Sequence, residues 1–579
     1  MTRQEDASAA PAAGPGSTLR ATIVRGDPDP LGWRALQSAP GQPHVVREDL
    51  GPVPDPSTAR AVLALAHLSD LHVMDAQSPA RLEHLDRMAD PDSPVRDRFP
   101  TVGTYRAHET LSHTVVEAMV QSINAAGAGP VTGRGLDLAV VTGDSTDNCQ
   151  RNELDTYLGL LEGRRVEPDS GDPTRYEGVA ADTATGYDVR YWHPHGTPTG
   201  CADDLPRSAH GFPVVPGLLD AAREAYQATG LDIEWYAAHG NHDRLLQGVT
   251  VPDPGLVELA TGTWRVDGLP DDPGVLDAWL EQMGPGVGQI GPGGYPPREA
   301  APGTSVTADQ RRRFTSRREF VDAHFSPTAR PPGHGFTAQN RTTGTAYHAT
   351  DLVSEGPVVR LLMLDTVNEH GGWQGSLDGE QHRWLIDQLQ AGSRRYLDEH
   401  ARLVTQEVPD VLFIVAGHHT LETMINPYAP PGQPPRVLGA QLTEELLRYP
   451  NVVLMLTGHT HRHAVTGYAR PASSPVPGGF WQVTTASHID DPQQSRIVEI
   501  AIAEDRLLIA ATVLDHLGPV VYDGGKDPVS LAGLSRVLAA NDWQRRDWAE
   551  FLPDQAPDGR GSVIDRNVLL SVPLPFPMG

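Results

Sequence analysis

Cysteine is nearly absent: Cys149 and Cys201 are the only two in 579 residues. That is too few for a disulfide framework, so a reduced pair is expected. No apolar run approaches the roughly 20 residues that a membrane helix needs. The N-terminal stretch holds acids at Glu5 and Asp6 amid Ala, Pro and Gly, with no apolar core like that of a signal peptide. The expectation is a soluble, cytoplasmic protein with no membrane partner. Lysine is almost missing too, Lys526 being the sole one among 46 basic residues, which reads as a codon preference for Arg. Positive charge as a whole is in deficit, with a formal net charge of −28. Such a surface repels a polyanion at long range, so nucleic acid is not expected as a partner.

What the chain has is a repeated local design. Residues 136–148 read LDLAVVTGDSTDN, a β-branched apolar run that ends in Gly and then in oxygen-bearing side chains. This pattern predicts a buried strand delivering Asp144 to an exposed loop. AVLALAHLSDLH (61–72), VLFIVAGHH (411–419) and VVLMLTGHTH (452–461) share it, and IEWYAAHGNHD (233–243) is a weaker copy. Five strand ends rich in Asp, Asn and His are thus scattered along the chain. Its length exceeds one ordinary core, and this scatter favours one domain with long insertions over several domains.

In order, residues 1–17 read as a disordered tail and 18–60 as a proline-rich segment wrapping the surface. The core spans 61–515, with insertions at about 150–231 and 245–356 that are expected to form a lid, and 516–579 is a C-terminal extension with a short helix near 531–541. Leu111, Val115, Val116, Met119, Val120 and Ile123 predict one face of a helix over 108–125. Glycines and prolines make 284–297 a loop. Residues 308–325 read as an amphipathic helix carrying Arg311, Arg312, Arg313, Arg317 and Arg318, for which a solvated face is the ordinary account and contact with an anionic substrate the sharper one. A strand at 358–365, a helix with Trp384, Leu385 and Leu389 facing inward, and a hairpin at 496–502 and 506–514 complete the core.

Asp70 and His72 lie two apart at a strand end, as do His459 and His461, so each pair can face one cation. Carboxylate with imidazole suits Zn, Mn or Fe better than Ca, which prefers oxygen cages. Taken together and in order, SDLH, GDSTD, GNHD, GHH and GHTH resemble the calcineurin-like metallophosphoesterases. The REDLGPVP stretch (47–54), the long inserts and TASHIDDPQQSR (485–496) are similar to an actinobacterial group of that family, whose members are often exported by the twin-arginine route. The resemblance implies an α/β fold in which two mixed sheets pack face to face with helices outside (αββα). It also implies two metal ions, one on Asp70, His72, Asp144 and His461, the other on Asp144, Asn241, His418 and His459, with Asp144 bridging. His418 is preferred over His419 because the family uses the first of the pair. Catalysis would fall to a metal-bound hydroxide and to His242, the acid for the leaving oxygen, which Asp147 orients in the family.

Asn148 and Cys149 stand where the protein-phosphatase form has Arg and Gly, which argues against a phosphoprotein substrate. The implied activity is hydrolysis of a small-molecule phosphate ester by a phosphatase or phosphodiesterase; a non-catalytic metal-binding scaffold and a nuclease are the rivals. Asp243 is expected to brace its loop. Asp365, Cys149, His193, His195, His370, His463 and His488 read as structural.

Overall fold

In the computed structural model, residues 14–183, 186–282, 301–353, 357–545 and 558–578 are described. The glycine-rich loop expected at 284–297 lies outside them. Thirteen strands build the two large sheets. They are β1 (Val45–Val46), β2 (Arg60–Leu68), β3 (Leu138–Val141), β4 (Glu234–Ala237), β5 (His348–Val353), β6 (Val359–Met363), β7 (Leu412–Ala416), β8 (Val452–Thr457), β9 (Ala464–Ala469), β10 (Gly479–Thr484), β11 (Gln494–Ala503), β12 (Arg506–Asp515) and β13 (Val568–Pro573). The 7-stranded sheet has the order β1-β13-β12-β11-β2-β3-β4, and the 6-stranded sheet β5-β6-β7-β8-β10-β9. Both are mixed. β2, β3 and β4 run parallel, as do β6, β7, β8 and β10, while β11 pairs antiparallel with both β2 and β12.

The layering follows from period-two alternation. Leu63 and Leu65 of β2 point to the same buried cluster as Leu361, Ile414, Leu454 and Ile500, so the two sheets share one core. Ala64, Ala66 and Leu68 point the other way, against Val116, Met119 and Val120 of α1 (Ser112–Ala126) and Leu154, Leu158 and Leu161 of α2 (Arg151–Glu162). On the far side, Phe413, Val415 and Met455 pack against Leu385 and Leu389 of α3 (Gly379–Ala391) and Leu442 and Leu446 of α4 (Gly439–Leu447). The chain is mixed α/β, with helices on the outward faces of both sheets. No helix among the described residues is long and apolar enough to cross a membrane.

Four expectations change. Residues 18–60 do more than wrap the surface: Ala21–Pro28 pairs with Arg34–Pro40, and β1 joins β13 at the edge of the larger sheet. Ser17, expected in the tail, is buried and bridges to Leu514. The C-terminal extension is likewise part of the core, since β13 pairs with β12 from Arg506↔Pro573 to Ala511↔Val568. Finally, residues 308–325 do not form one helix. A 3-10 turn at Gln310–Arg312 ends at Arg313, the chain pairs with the Cys149–Gln150 segment through Phe314 and Thr315, and a new helix starts at Arg317–Ala323. Its arginines meet acids: Arg311 pairs with Asp309, buried Arg312 with Asp75, Arg313 with Glu319, and Arg317 with Asp365.

Candidate metal centre

The parallel strands of the two sheets end on the same side, and their ladders continue into the loops. Asp70 N–H donates to Gly143 O (3.1 Å) and His72 N–H to Asp144 O (3.0 Å), which ties the turn after β2 to the turn after β3. Gly458 N–H donates to His418 O (3.0 Å), tying β8 to β7. Two glycines let the sheets meet. A Cβ on Gly458 would lie 1.7 Å from Ser69 Oγ and 2.3 Å from Asp70 Oδ2, and one on Gly143 would lie 3.0 Å from His418 Cβ. Gly458→Ala is therefore expected to displace Asp70 and weaken metal uptake by about tenfold, read by elemental analysis after dialysis against limiting metal. Wild-type content would refute that reading of the contact.

Asp70, His72, Asp144, His459 and His461 all adopt positive φ, between 44° and 69°. Left-handed backbone is uncommon for residues with a Cβ and gathers where function over-determines the conformation. Here it turns consecutive side chains inward. His72 Nε2 lies 3.0 Å from His461 Nε2 and 3.8 Å from Asp144 Oδ2. His461 Nε2 is 3.4 Å from Asp70 Oδ1. His418 Nε2 is 3.0 Å from Asp144 Oδ2 and 3.1 Å from His459 Nδ1. Asp70, His72 and His461 thus form one group with metal-holding spacing, and Asp70, Asp144 and His418 another that joins it to the His459 side.

The opposite ring nitrogens are already engaged, which leaves the converging ones free to ligate. His418 Nδ1 is 2.9 Å from Thr142 O, His72 Nδ1 is 2.9 Å from Asp147 Oδ1, and His461 Nδ1 is 2.5 Å from Asp490 Oδ2. His419 has neither nitrogen to spare, with Nδ1 bound to Thr366 Oγ1 (2.7 Å) and Nε2 to Trp373 O (2.9 Å). His419 lies within metal-holding distance of His418 and His459, but of the pair it is His418 that turns a nitrogen to Asp144. Asn241 donates through Nδ2 to Gly248 O (3.0 Å), while its Oδ1 is buried with no hydrogen-bond partner. A buried carbonyl oxygen without a donor is costly unless a cation or water meets it, so this donor set fits a metal.

Electrostatics agree. Burial opposes charge on His418, but Asp144 outweighs it and pushes its pKa up to about 9. Burial likewise opposes charge on His461, yet Asp490 and Asp70 carry it up to about 9. Asp144, despite burial, is held well below the usual carboxylate range by His418, His242 and His72. The carboxylates together demand positive charge among them.

His242 sits at the rim, its side chain 19 % exposed, with its N–H donating to Asp144 Oδ1 (2.8 Å). Its Nδ1 lies 2.6 Å from the carbonyl oxygen of Asp147 and 4.0 Å from the Asp147 carboxylate. Asp147 thus reaches His242 through its backbone carbonyl, whereas its carboxylate is turned to His72 and to Arg81, both closer to the interior. Burial lowers the His242 pKa to about 4, against Asp144 acting to raise it. The ring is therefore neutral near pH 7, with its proton on Nδ1 and Nε2 open.

Asp490, Arg81, Arg106 and Arg545 were not expected. Asp490 holds His461 and is itself held by Arg106 (2.9 Å) and Arg545 (3.1 Å). Arg81, fully buried, pairs with Asp147 and with Glu109 (3.1 Å) and donates to Thr104 O (2.6 Å). Asp243 braces its loop as expected, accepting from Ser145, Thr146 and Gly240 N–H. Asp365, His193, His463 and His488 bond to neighbouring structure, and burial pushes the Cys149 thiol well up, leaving it no nucleophile. No model of a known protein family matches the chain, and no curated protein matches it.

Proposed function

We propose that the chain is a metal-dependent phosphoric ester hydrolase of the calcineurin-like metallophosphoesterase type, acting on a small-molecule ester. The observation that carries this is the convergence of four imidazoles, Asp70, Asp144 and the partnerless Asn241 oxygen at strand ends of both sheets. Asp70, His72, Asp144 and His461 would hold one cation of the Mn, Fe or Zn kind, and Asp144, Asn241, His418 and His459 a second. When bound, two such cations lower the pKa of a water and clamp the attacking and leaving oxygens of an in-line displacement.

The chain's own residues do the rest. Asp147, Asp490 and the Thr142 carbonyl fix the tautomers of His72, His461 and His418, so that each presents a lone pair inward. Asp144 offsets positive charge shared between the two groups. His242, with Nδ1–H donating to Asp147 O, presents Nε2 to the rim. It can take up a proton from solvent there, which a phosphoryl anion beside it favours, and give that proton to the leaving oxygen.

The test is elemental metal content beside hydrolysis of p-nitrophenyl phosphate and its bis-ester after reconstitution with Mn, Fe or Zn. About two metals per chain with turnover is the expected result, and the ratio of the two rates selects monoester or diester. No tight metal would sink the proposal, and two metals without turnover on any ester would leave a scaffold. His242→Ala is expected to keep both metals and lower kcat by about a hundredfold. Metal loss equal to that of an Asp144 variant would refute the assigned role.

A further inference from the structure

We propose that Trp373 is the platform on which a planar aromatic or heteroaromatic group of the ester stacks. This names the substrate class and rests on the phosphoester reading of the metal centre. Trp373 is 44 % exposed, although indole surface is ordinarily withdrawn from water. Its ring lies 5.7 Å from the His459 imidazole at an interplanar angle of 19°. An exposed tryptophan in that position is not a loose surface side chain, because its loop is tied down on all sides. His419 Nε2 is 2.9 Å from Trp373 O, Gly372 N–H donates to Val249 O (2.8 Å), Asn426 Nδ2 to Gly371 O (2.9 Å), and Gly375 N–H to Thr423 O (3.0 Å).

Those ties run to the segments that carry the candidate ligands. His419 follows His418, and Val249 follows Gly248, whose carbonyl holds Asn241. The backbone that carries the indole is therefore tied to the segments of the candidate ligands. Val251 lies beside Gly371, and Tyr428, 55 % exposed, is edge-on to His370 of the same loop. An exposed indole offers flat, polarizable contact to a ring and little to a polyol or an alkyl chain.

The full-length, metal-loaded protein supplies the test. Trp373→Ala should lower kcat/KM for 2-naphthyl phosphate by about tenfold and leave that for glycerol 2-phosphate within about twofold, while Trp373→Phe keeps most of the naphthyl activity. Comparing each variant with wild type on the same ester cancels the difference in leaving-group reactivity. Equal losses on both esters would mean that Trp373 only braces His459, and would overturn the proposal, as would no loss on either. A readout apart from turnover is fluorescence: the wild-type signal should respond to phenylphosphonate at roughly tenfold lower concentration than to methylphosphonate, and the Trp373→Phe signal should not respond. Equal responses, or none, overturn the platform. If the wild type hydrolyses neither ester, the hydrolase reading fails, and the phosphonate titration still decides the stacking site.

Discussion

Asp144→Ala is expected to abolish metal binding and turnover together, taking metal content from about two per chain to near zero and activity down by at least about a thousandfold. The reason is that this one carboxylate serves both groups. Its Oδ2 is 3.0 Å from His418 and 3.8 Å from His72, and its Oδ1 accepts the His242 N–H. Asp144→Asn separates shape from charge: it keeps an oxygen for the His242 N–H but cannot offset two cations, so it should lose metal nearly as completely. Plasma emission analysis beside ester hydrolysis reads both. An Asn variant that retains its metals would show that charge on Asp144 is dispensable and would refute its bridging role.

Arg81→Met is expected to cost about 3 to 5 kcal/mol of stability, because removing one partner of a buried ion pair leaves the other uncompensated. Burial disfavours the Arg81 charge, yet Asp147, Glu109, Glu83 and Glu153 keep it firmly protonated. Without it, Asp147 and Glu109 would face each other in the interior, and Asp147 would lose its grip on His72. Urea denaturation measures the loss. Adding Glu109→Gln removes one of the stranded charges, so the double variant should recover part of the stability; simply additive losses would sink the argument. Arg81→Lys should not restore the wild type, since one ammonium cannot replace a planar fork spanning Asp147, Glu109 and Thr104 O.

The strands that carry the candidate ligands were legible in the sequence because burial on both faces writes itself as an apolar run, and the run of β3 stops where Gly143 and Asp144 begin. His418 and His459 were reachable by the same logic at β7 and β8. What sequence could not show is which atom of a residue would be used: Asp147 was placed in the site, but that its carboxylate meets His72 and its carbonyl meets His242 depends on the fold of the loop. Arg81 and Asp490 were hidden for a related reason. Each lies in a turn with no periodicity, and its role exists only through partners distant in sequence, such as Glu109 for Arg81 and Arg106 for Asp490. The misread helix at 308–325 is instructive. Ser316 and Glu319 form a capping box, a start signal inside the stretch, so local chemistry did announce a new helix at Arg317. The apolar pattern across the break masked it, and pairing with Cys149 and Gln150 decided the outcome.

The edge of the larger sheet sets the order in which this protein can be made. β1 pairs with β13 through Val568↔Val45 and Leu569↔Val46, partners on the order of five hundred residues apart. β12 also waits for β13 along Arg506–Ala511. A ribosome that has released only the earlier strands therefore presents Arg506–Ala511 as a bare hydrogen-bonding edge, the kind that recruits neighbouring chains. The aggregation hazard of this architecture therefore falls before β13 is made, when that edge is open, and not in the finished fold, where it is paired.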